Sequence, residues 1–413
     1  MNQDYKILAK LIAERIKLAI PYLIDTDQSG FIKGRYIGQN IVNIIDILHF
    51  TEENNIPALL ISIDYEKAYD KLEWQSIQKG LTYFNFPPVI KAWVNIMYTN
   101  ISSCVTNNGW QSNYFPITRG VRQGCPLSPY LFIIAAELLA IHIRENNYIK
   151  GISIGEKEHK IKLYADDTQI FILFEQESAK EMASTFKKFS SISGLVVNFN
   201  KSNILRIGSI RNTNATLDIG ERFEWTNEHI KILGITITTN LNSLTEVNIK
   251  PLVEKIVNII KIWSARKLTL FGKITVINSL LASQLIYRLT VLPTPDENIM
   301  KILDKTLYDF LMNSKPHKIA KSSISNIKKN GGLKMIDIIL KNMSLKIGWI
   351  KRICENPKYF ICPAMDTYCK IDVKLFLKCN TNCDDFLYAF NKKIPVFLAK
   401  CFILLVYFSL QKN

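Results

Sequence analysis

The stretch from Ile161 to Phe174, IKLYADDTQIFILF, places an acidic pair, Asp166 and Asp167, between two apolar runs of strand length. Two such runs around a short polar turn are typical of a β-hairpin, which would hold both carboxylates at its tip. Aspartate is also common in ordinary turns, so the pair alone does not indicate chemistry. A functional interpretation needs a further acidic residue near this tip.

A second acidic position, Asp64, follows the almost wholly apolar run ALLISI, residues 58–63. Such a run predicts a strand that is buried on both faces and ends on a carboxylate. A charge at the end of a buried strand needs a partner. Asp70 and Glu73, a few residues later, match a capping box, so we assign Asp70 a structural role as helix N-cap and Asp64 the functional role.

Asp64, Asp166 and Asp167 together would form a set of three carboxylates on neighbouring strands. Such a set holds two Mg²⁺ ions about 4 Å apart, which stabilises both the attacking and the leaving oxygen in nucleotidyl transfer. Histidine and cysteine are absent from both segments, which suits a hard cation. The pattern therefore predicts a Mg²⁺ site, with Mn²⁺ as the alternative ion.

A loop rich in glycine and proline, RGVRQGCPLSP at residues 119–129, lies between these segments. Ser128 and Pro129 are placed as N-cap and first residue of an apolar helix. A surface loop that begins a core helix explains those two residues but not the paired glycines. Backbone amides and guanidinium groups suit phosphates, and a glutamine suits a base or sugar edge, so the predicted nucleotide-binding residues are Arg119, Arg122, Gln123 and Gly124.

The composition favours a basic globular protein. Lys and Arg exceed Asp and Glu by 52 to 36, which gives a net charge of +16. This imbalance favours a polyanionic partner, either nucleic acid or an acidic membrane surface, although a basic protein without such a partner is the alternative. At 413 residues and 48% hydrophobic content, the chain can bury a large core divided among two or three subdomains.

Secretion and stable membrane association are not expected. Residues 1–17 are basic and amphipathic without a continuous apolar segment. The apolar segment from Ile394 to Leu410 contains Lys400 and is short for a bilayer span, so we interpret it as a core helix. The eight cysteines are scattered, and the closest cluster, Cys379 and Cys383 with Cys362 and Cys369 upstream, has no histidine after His317 to complete a zinc knuckle. Reduced thiols in a cytoplasmic or nuclear protein are the better interpretation.

Changes in pattern divide the chain into four parts. Residues 1–57 look helical around loops. Residues 58–244 alternate apolar strand-like runs with amphipathic helices, an α+β body. Residues 245–345 carry apolar side chains at helical spacing, and residues 346–413 form a helical tail. A short connection between two helices of the third part contains the basic residues Arg266, Lys267 and Lys273.

These segments resemble the reverse transcriptases of non-LTR (LINE-type) retrotransposons over nearly the whole chain. A single one of the motifs could arise by chance, but six in the family's order are very specific. They are DQSGFIKGR (27–35), SIDYEKAYDKLEW (62–74), RGVRQGCPLSPYLF (119–132), YADD (164–167), SGLVVNFNKS (193–202) and ILGI (232–235).

The resemblance implies a right-hand polymerase: partial fingers at residues 1–57, a palm with an antiparallel sheet at 58–244, an all-helical thumb at 245–345 and an incomplete helical tail. It implies an RNA-directed DNA polymerase that extends a DNA 3′ end on an RNA template, with dNTPs and two metal ions. A ribonucleoprotein in the nucleus or the cytoplasm is the expected location.

The resemblance also assigns roles to single residues. Asp64, Asp166 and Asp167 become the catalytic metal ligands. Gln123 and Gly124 lie under the nascent base pair. Tyr69 excludes the ribose 2′-OH, and Lys201 acts as general acid toward pyrophosphate. Basic residues follow the nucleic-acid backbone through phosphate contacts; those predicted are Arg35, Arg266, Lys267 and Lys273.

The sequence also departs from the family pattern. The usual Arg-Pro-Ile segment, an endonuclease domain and a zinc knuckle are missing, and Met312 replaces the usual tryptophan. These departures predict a truncated copy. The alternative function is therefore a catalytically weak or inactive remnant that only binds RNA or DNA. A group II intron maturase shares YADD and the Gln-Gly loop, but RGVRQGCPLSP suits the retrotransposon family better.

Overall fold

A five-stranded sheet lies at the centre of the first of two units into which the chain divides. The structure, a computed structural model, describes residues 2–313 and 319–356, together with residues 359 and 363. The first unit comprises Met1–Asn40 and Thr51–Leu233, and the second comprises Ile41–Phe50 and Gly234–Asn413.

The first unit alternates helices and strands, as the sequence predicts. Its helices are α1 (Gln3–Leu23), α2 (Ile37–Glu53, whose middle belongs to the second unit), α3 (Ala68–Lys71), α4 (Trp74–Tyr83), α5 (Pro88–Met97), α6 (Ser128–Glu145) and α7 (Gln176–Ser193). Its strands are β1 (Ala58–Ile63), β2 (Ser102–Ser103), β3 (Thr106–Asn107), β4 (Trp110–Gln111), β5 (Phe115–Pro116), β6 (Ile152–Ile154), β7 (Lys157–His159), β8 (Ile161–Tyr164), β9 (Asp167–Leu173), β10 (Asn203–Ile207), β11 (Glu224–Thr226) and β12 (His229–Ile232).

The sheet has the strand order β11-β10-β1-β9-β8. β1 pairs antiparallel with both β9 and β10, which explains why its apolar run is buried on both faces. β8 and β9 form the predicted hairpin, with Tyr164 opposite Asp167, so that Ala165 and Asp166 are its two turn residues. The hairpin and the buried strand that ends before Asp64 are thus both confirmed.

One apolar core supports this sheet. Side chains from α1, α4 and α6 pack with β1, β8 and β9 in a single buried cluster. α6 is apolar on nearly all sides, and eleven of its residues are buried, because it lies inside the unit rather than on its surface. The helix therefore gives the loop before it a rigid attachment.

The described part of the second unit is mainly helical. Its elements are β13 (Ile235–Thr238), α8 (Leu244–Ser264), α9 (Leu270–Val276), α10 (Ala282–Val291), α11 (Glu297–Met312), α12 (Lys321–Ser325) and α13 (Ile338–Glu355). A π-helical segment, Ile277–Leu281, joins α9 and α10 into one helix, Leu270–Val291. That helix is long and apolar enough to cross a membrane by length and composition, but half of its apolar window is buried, and its inner face belongs to the core of this unit.

Two expected helix caps are wrong. Asp70 lies inside α3, whose N-cap position is Lys67, and no capping box forms. Glu73 instead precedes α4, and its carboxylate lies 3.7 Å from the guanidinium of Arg119. Ser128 is the first residue of α6, and its hydroxyl donates to the carbonyl of Arg122 at 2.7 Å rather than capping the helix.

Two of the three expected domain boundaries lie beside the start of an element. β1 begins at Ala58 and α8 at Leu244, next to two of the predicted boundaries. The third, between residues 345 and 346, falls inside α13. Most of the expected tail, including Ile394 to Leu410 and the cysteines beyond Cys354, lies outside the described residues.

Candidate active site

The backbone of Asp64 is fixed by the turn that leads into β10. Its N–H donates to the Ser202 hydroxyl at 3.0 Å, and its carbonyl accepts from the Asn198 N–H at 2.7 Å. Ser202 is fully buried, and its hydroxyl donates in turn to the carbonyl of Asn198 at 2.8 Å. The SGLVVNFNKS motif therefore holds the end of β1 in place, while the carboxylate of Asp64 remains partly exposed.

The β-sheet register brings the three aspartates together. Ile63 at the end of β1 lies opposite Thr168 in β9. Continued by one residue, this antiparallel register places Asp64 opposite Asp167, with Asp166 in the adjoining turn. The structure thus brings Asp64 to the same edge of the sheet as the adjacent pair Asp166 and Asp167, which lies about a hundred positions further along the chain.

The electrostatics of the three aspartates show that their charges interact. Burial, and then the negative charge of Asp64, raises the pKa of Asp166. Burial, followed by the charges of Asp166 and Asp64, raises the pKa of Asp167 to about 6. Such shifts are expected where carboxylates share a site. Across the described ranges, however, no three His, Cys, Asp or Glu side chains are gathered tightly enough to enclose an ion.

Two tyrosines lie within electrostatic reach of the acidic pair. The ring of Tyr69 stacks on Phe132 of α6, with centroids 4.6 Å apart and planes 22° apart. Burial raises the pKa of Tyr69, and Asp166 adds to the shift, so its hydroxyl lies within electrostatic reach of the acidic pair. Tyr65 is buried; burial raises its pKa, and the charge of Asp166 also raises it. Tyr69 therefore has a rigid backing, as a residue that shapes a substrate pocket requires.

The RGVRQG loop packs against the segment that follows β1. The N–H of Val121 donates to the carbonyl of Tyr69 at 2.7 Å, and the N–H of Gly120 donates to that of Leu72 at 2.8 Å. Gly120 has a φ of +86°, and a Cβ there would lie 2.6 Å from the Asp70 carbonyl oxygen, so only glycine allows this approach. The loop is consequently fixed beside Tyr69.

The predicted nucleotide-binding side chains of this loop differ in exposure. Arg122 is half-buried and stacks over the ring of Tyr5 in α1, 4.3 Å from its centroid. Arg119 is exposed beside Glu73. Gln123 and Gly124 are exposed, and nothing lies within 4 Å of a Cβ added at Gly124. Gln123 and Gly124 are therefore accessible to a ligand, whereas the Arg122 guanidinium is held in place by the ring of Tyr5.

The DQSGFIKGR motif has a structural role. The guanidinium of Arg35 donates to the carbonyls of Gln28 at 2.5 Å and Ile24 at 2.7 Å, and also to that of Asp25. These hydrogen bonds engage the Arg35 guanidinium, the group that was predicted to contact nucleic acid. Arg35 instead fixes the loop between α1 and α2.

The remaining predicted residues divide into exposed and buried groups. Lys201 is exposed in the turn after Asn198. Arg266 and Lys267 are exposed in the second unit, and Arg266 stacks over Trp263 at 4.5 Å. Lys273 lies within α9, not in the connection before it, and is buried; its amine donates to the Phe310 carbonyl at 2.7 Å. The geometry therefore gives Lys273 a packing role rather than the predicted phosphate contact.

Sequence analysis missed the side chains that support the hairpin from behind. Gln28 contacts the turn residue Ala165, and Lys162 of β8 forms a buried ion pair with Asp27. A lysine between two apolar residues in a strand that must be buried is a signal that could have indicated such a pair. No local pattern points to the role of Gln28.

The family model described as "Reverse transcriptase (RNA-dependent DNA polymerase)" matches residues 1–237. The "Transposon TX1 uncharacterized 149 kDa protein" of Xenopus laevis is 30% identical over 85% of this chain and 27% of its own length. The "RNA-directed DNA polymerase from mobile element jockey" of Drosophila melanogaster is 24% identical over 69% of this chain and 32% of its own length.

A further relative is the "Retrovirus-related Pol polyprotein from type-2 retrotransposable element R2DM" of Drosophila melanogaster, which is 27% identical over 47% of this chain and 18% of its own length. This chain thus spans a third or less of these relatives.

Among solved structures, apo telomerase from Candida tropicalis aligns over 85% of this chain and 59% of its own, with a TM-score of 0.44 and 12% identity. Telomerase from Candida albicans, solved with a TWJ fragment of telomeric RNA, aligns over 89% and 56%, with a TM-score of 0.42 and 9% identity.

The family match covers more than half of the chain and includes all three aspartates, the RGVRQG loop and the hairpin. It confirms the fold class expected from the motifs, an α+β right-hand polymerase. The chain belongs to the reverse transcriptase family, and its relatives place it among the enzymes of non-LTR retrotransposons.

Proposed function

We propose that this chain is an RNA-directed DNA polymerase that extends a DNA 3′ end on an RNA template with dNTPs. The observation that carries the proposal is the register of β1 against β9, which places Asp64 beside Asp166 and Asp167. Enzymes of this family generally use divalent metal ions. The three side chains offer only carboxylate oxygens, which are the donors that Mg²⁺ prefers.

The donor chemistry of the three aspartates suits Mg²⁺, with Mn²⁺ as the alternative, although their side chains would have to draw closer together to enclose an ion. The raised pKa of Asp167 reflects crowded negative charge, which bound cations would relieve. The ligands would be Asp64, Asp166 and Asp167, and the chemistry supplied by two bound ions is stabilisation of the attacking and leaving oxygens.

The chain's own residues would orient the substrates around this site. The Tyr69 ring, held by Phe132, would lie under the sugar of the incoming nucleotide and leave no room for a 2′-OH. Gln123 and Gly124 would contact the new base pair, with Arg119 and Arg122 near the phosphates. Lys201, exposed after the turn that fixes Asp64, would donate a proton to the pyrophosphate oxygen as the P–O bond breaks.

Template and primer would be held mainly by charge. Arg266 and Lys267 are exposed in the second unit, and lysine and arginine side chains bind the phosphate backbone without regard to sequence. The net charge of +16 favours the same polyanionic partners.

The test is primer extension by the purified chain on an RNA template with an annealed DNA primer. We expect Mg²⁺-dependent DNA synthesis that is lost in the Asp166→Ala/Asp167→Ala double variant. Glu156→Ala is the matched control, because Glu156 is an exposed acid in the turn of another hairpin, β6–β7, and should leave synthesis unchanged. Folded wild-type protein that binds template and primer without extending them would overturn the proposal and favour the binding-only remnant.

A further inference from the structure

The residue before the acidic pair has an unusual backbone conformation. Ala165 has a φ of 56°, in the left-handed region that residues other than glycine and asparagine seldom adopt. It is the first residue of the two-residue connection between β8 and β9, a position where glycine is normally preferred. Its conformation sets the direction in which the chain enters Asp166. Something must hold an alanine in this state.

One buried side chain occupies both backbone polar groups of Ala165. The Oε1 atom of Gln28 accepts the Ala165 N–H at 2.9 Å, and its Nε2 atom donates to the Ala165 carbonyl at 3.4 Å. Both residues are buried, with 1% and 4% of their surfaces exposed. Without this amide, the N–H and carbonyl of Ala165 would lose their buried partners, which proteins seldom tolerate.

The segment around Gln28 is itself fixed against β8. The N–H of Ser29 donates to the Leu163 carbonyl at 3.0 Å, and the N–H of Leu163 donates to the Asp27 carbonyl at 2.9 Å. Oε1 of Gln28 also accepts the Gly30 N–H at 2.8 Å. A Cβ at Gly30 would lie 2.5 Å from the Ala165 nitrogen, so glycine is needed for this approach. These backbone hydrogen bonds fix the register of the Gln28 segment against β8, and with it the position of the Gln28 side chain.

We propose that Gln28 is a positioning residue: its amide holds Ala165 in the left-handed conformation and thereby fixes the carboxylates of Asp166 and Asp167 for the reaction. The effect on the reaction rests on the proposed polymerase function, whereas the effect on the turn does not. Gln28 itself acts through Ala165 and does not contact the substrates.

The test compares Gln28→Met, which keeps the shape of the side chain but removes its amide, with Asn40→Leu. Asn40 is the matched control: it is equally buried and its amide donates to the Leu163 carbonyl at 2.7 Å, on the same strand but away from the turn. The first readout is hydrogen exchange of the metal-free protein, resolved to the amides of Ala165 and Gly30. We expect Gln28→Met to lose this protection and Asn40→Leu to keep it.

The second readout is steady-state primer extension. Gln28→Met should lower kcat by about 10- to 100-fold while the KM for dNTP changes little, since the carboxylates are displaced rather than the substrate contacts. Ala165→Gly should restore most of the lost kcat in the Gln28→Met background, because glycine adopts a positive φ without support from a neighbouring side chain. A merely structural role for Gln28 would not produce this rescue.

Gly30→Ala provides a second route to the same turn without changing any amide. Its added Cβ would push against the Ala165 nitrogen and should also expose the Ala165 amide to exchange. Unchanged exchange at Ala165 in both Gln28→Met and Gly30→Ala would overturn the proposal, as would an equal loss of kcat in Asn40→Leu or no rescue by Ala165→Gly. If the wild type makes no DNA, the proposed function fails. The exchange measurement still decides whether the Gln28 amide holds Ala165 in its conformation.

Discussion

Lys162 and Asp27 are separated by 135 positions in sequence, yet their Nζ and Oδ1 atoms lie 2.6 Å apart inside the first unit. Both side chains are almost fully buried. Arg144 is the only other cation whose ion pair with Asp27 the structure records in its described part, at 3.6 Å. The pair joins the DQSGFIKGR loop to β8, the strand that leads into Asp166.

Removal of the Lys162 amine should therefore lower the free energy of unfolding far more than removal of a surface charge. We expect Lys162→Met to lower the free energy of unfolding by about 3 kcal/mol at pH 7, because it leaves Asp27 buried with one distant partner. The control is Lys180→Met, which breaks an exposed pair with Asp218 in the same unit and should cost under about 1 kcal/mol. Urea unfolding compares them, and equal losses would contradict the expectation.

The same pair predicts a dependence on pH. Burial opposes ionisation of Asp27, but Lys162, and then Lys157 and Arg144, hold its pKa below the ordinary value of 3.8. A lowered folded-state pKa gives stability that is complete above the unfolded pKa and is lost as pH falls. The difference between wild type and Lys162→Met should thus be largest at neutral pH and shrink below about pH 4. A difference that stays constant down to pH 3 would argue against the ion pair.

The elements that carry the carboxylates could be predicted because their signals are local. An apolar run before Asp64 and two runs around Asp166 and Asp167 specify a buried strand and a hairpin without knowledge of distant residues. The gathering of the three aspartates could be expected only from the resemblance of the motifs, since no sequence pattern gives the strand order.

The partners of the supporting contacts could not be predicted, because each lies far away in sequence. The position of Lys162 between apolar strand residues could have indicated a buried ion pair, but only the fold identifies Asp27 as its partner. The capping pattern at Asp70 was misleading, because Glu73 lies beside Arg119, 46 positions further along the chain, and does not reach back to its own helix. Local propensity gave way to tertiary contacts in both cases.

Asp167 should reduce the stability of the metal-free protein. Burial, and then the charges of Asp166 and Asp64, raises its pKa from 3.8 to about 6. Between these values the folded chain keeps a proton that the unfolded chain has released, so raising the pH through this window lowers the free energy of unfolding. We expect Asp167→Asn, measured in EDTA at pH 8, to melt slightly above the wild type; the gain is small because the Asp167 side chain is exposed and water screens its charge.

Two further measurements isolate this effect. The melting difference should shrink at pH 4, where the wild-type carboxyl is protonated in the fold. Mg²⁺ should raise the melting temperature of the wild type more than that of Asp167→Asn, because a ligand that binds only the folded state stabilises it. Glu156→Gln, at an exposed turn, should show neither change. A variant that melts below the wild type at pH 8 would rule out carboxylate repulsion.

Tyr69 should control the choice between dNTPs and rNTPs through its ring. Because Phe132 stacks against that ring at 4.6 Å, Tyr69→Phe keeps the surface and should leave discrimination nearly unchanged. Tyr69→Ala removes the ring and should raise the relative kcat/KM for rNTPs by at least about tenfold, as expected when a steric barrier is lost. Single-nucleotide incorporation on an RNA template measures both.

The backing residue provides the control for Tyr69. Phe132→Leu should loosen the ring and raise rNTP use less than Tyr69→Ala does, since the barrier remains but is less firmly held. If Tyr69→Phe relaxes discrimination as much as Tyr69→Ala, the hydroxyl near Asp166, rather than the ring, makes the contact that matters.

Lys267 and Lys273 lie in the same basic cluster of the sequence but should respond to mutation in opposite ways. Lys267 is exposed, so Lys267→Met should weaken binding of a template–primer duplex and reduce the slope of log K against log salt by about 1. Lys273 is buried, with its amine on the carbonyls of Phe310 and Leu311. Lys273→Met should leave the salt slope unchanged and lower the free energy of unfolding by about 1–3 kcal/mol, the cost of losing buried partners.

Binding titrations at several salt concentrations, beside urea unfolding of each variant, separate these outcomes. The double variant should show both effects without interaction, because an exposed phosphate contact and a buried carbonyl contact share no partner. A reduced salt slope in Lys273→Met, with unchanged stability, would mean that its amine reaches a phosphate after all, and that α9 rearranges to release it when nucleic acid binds.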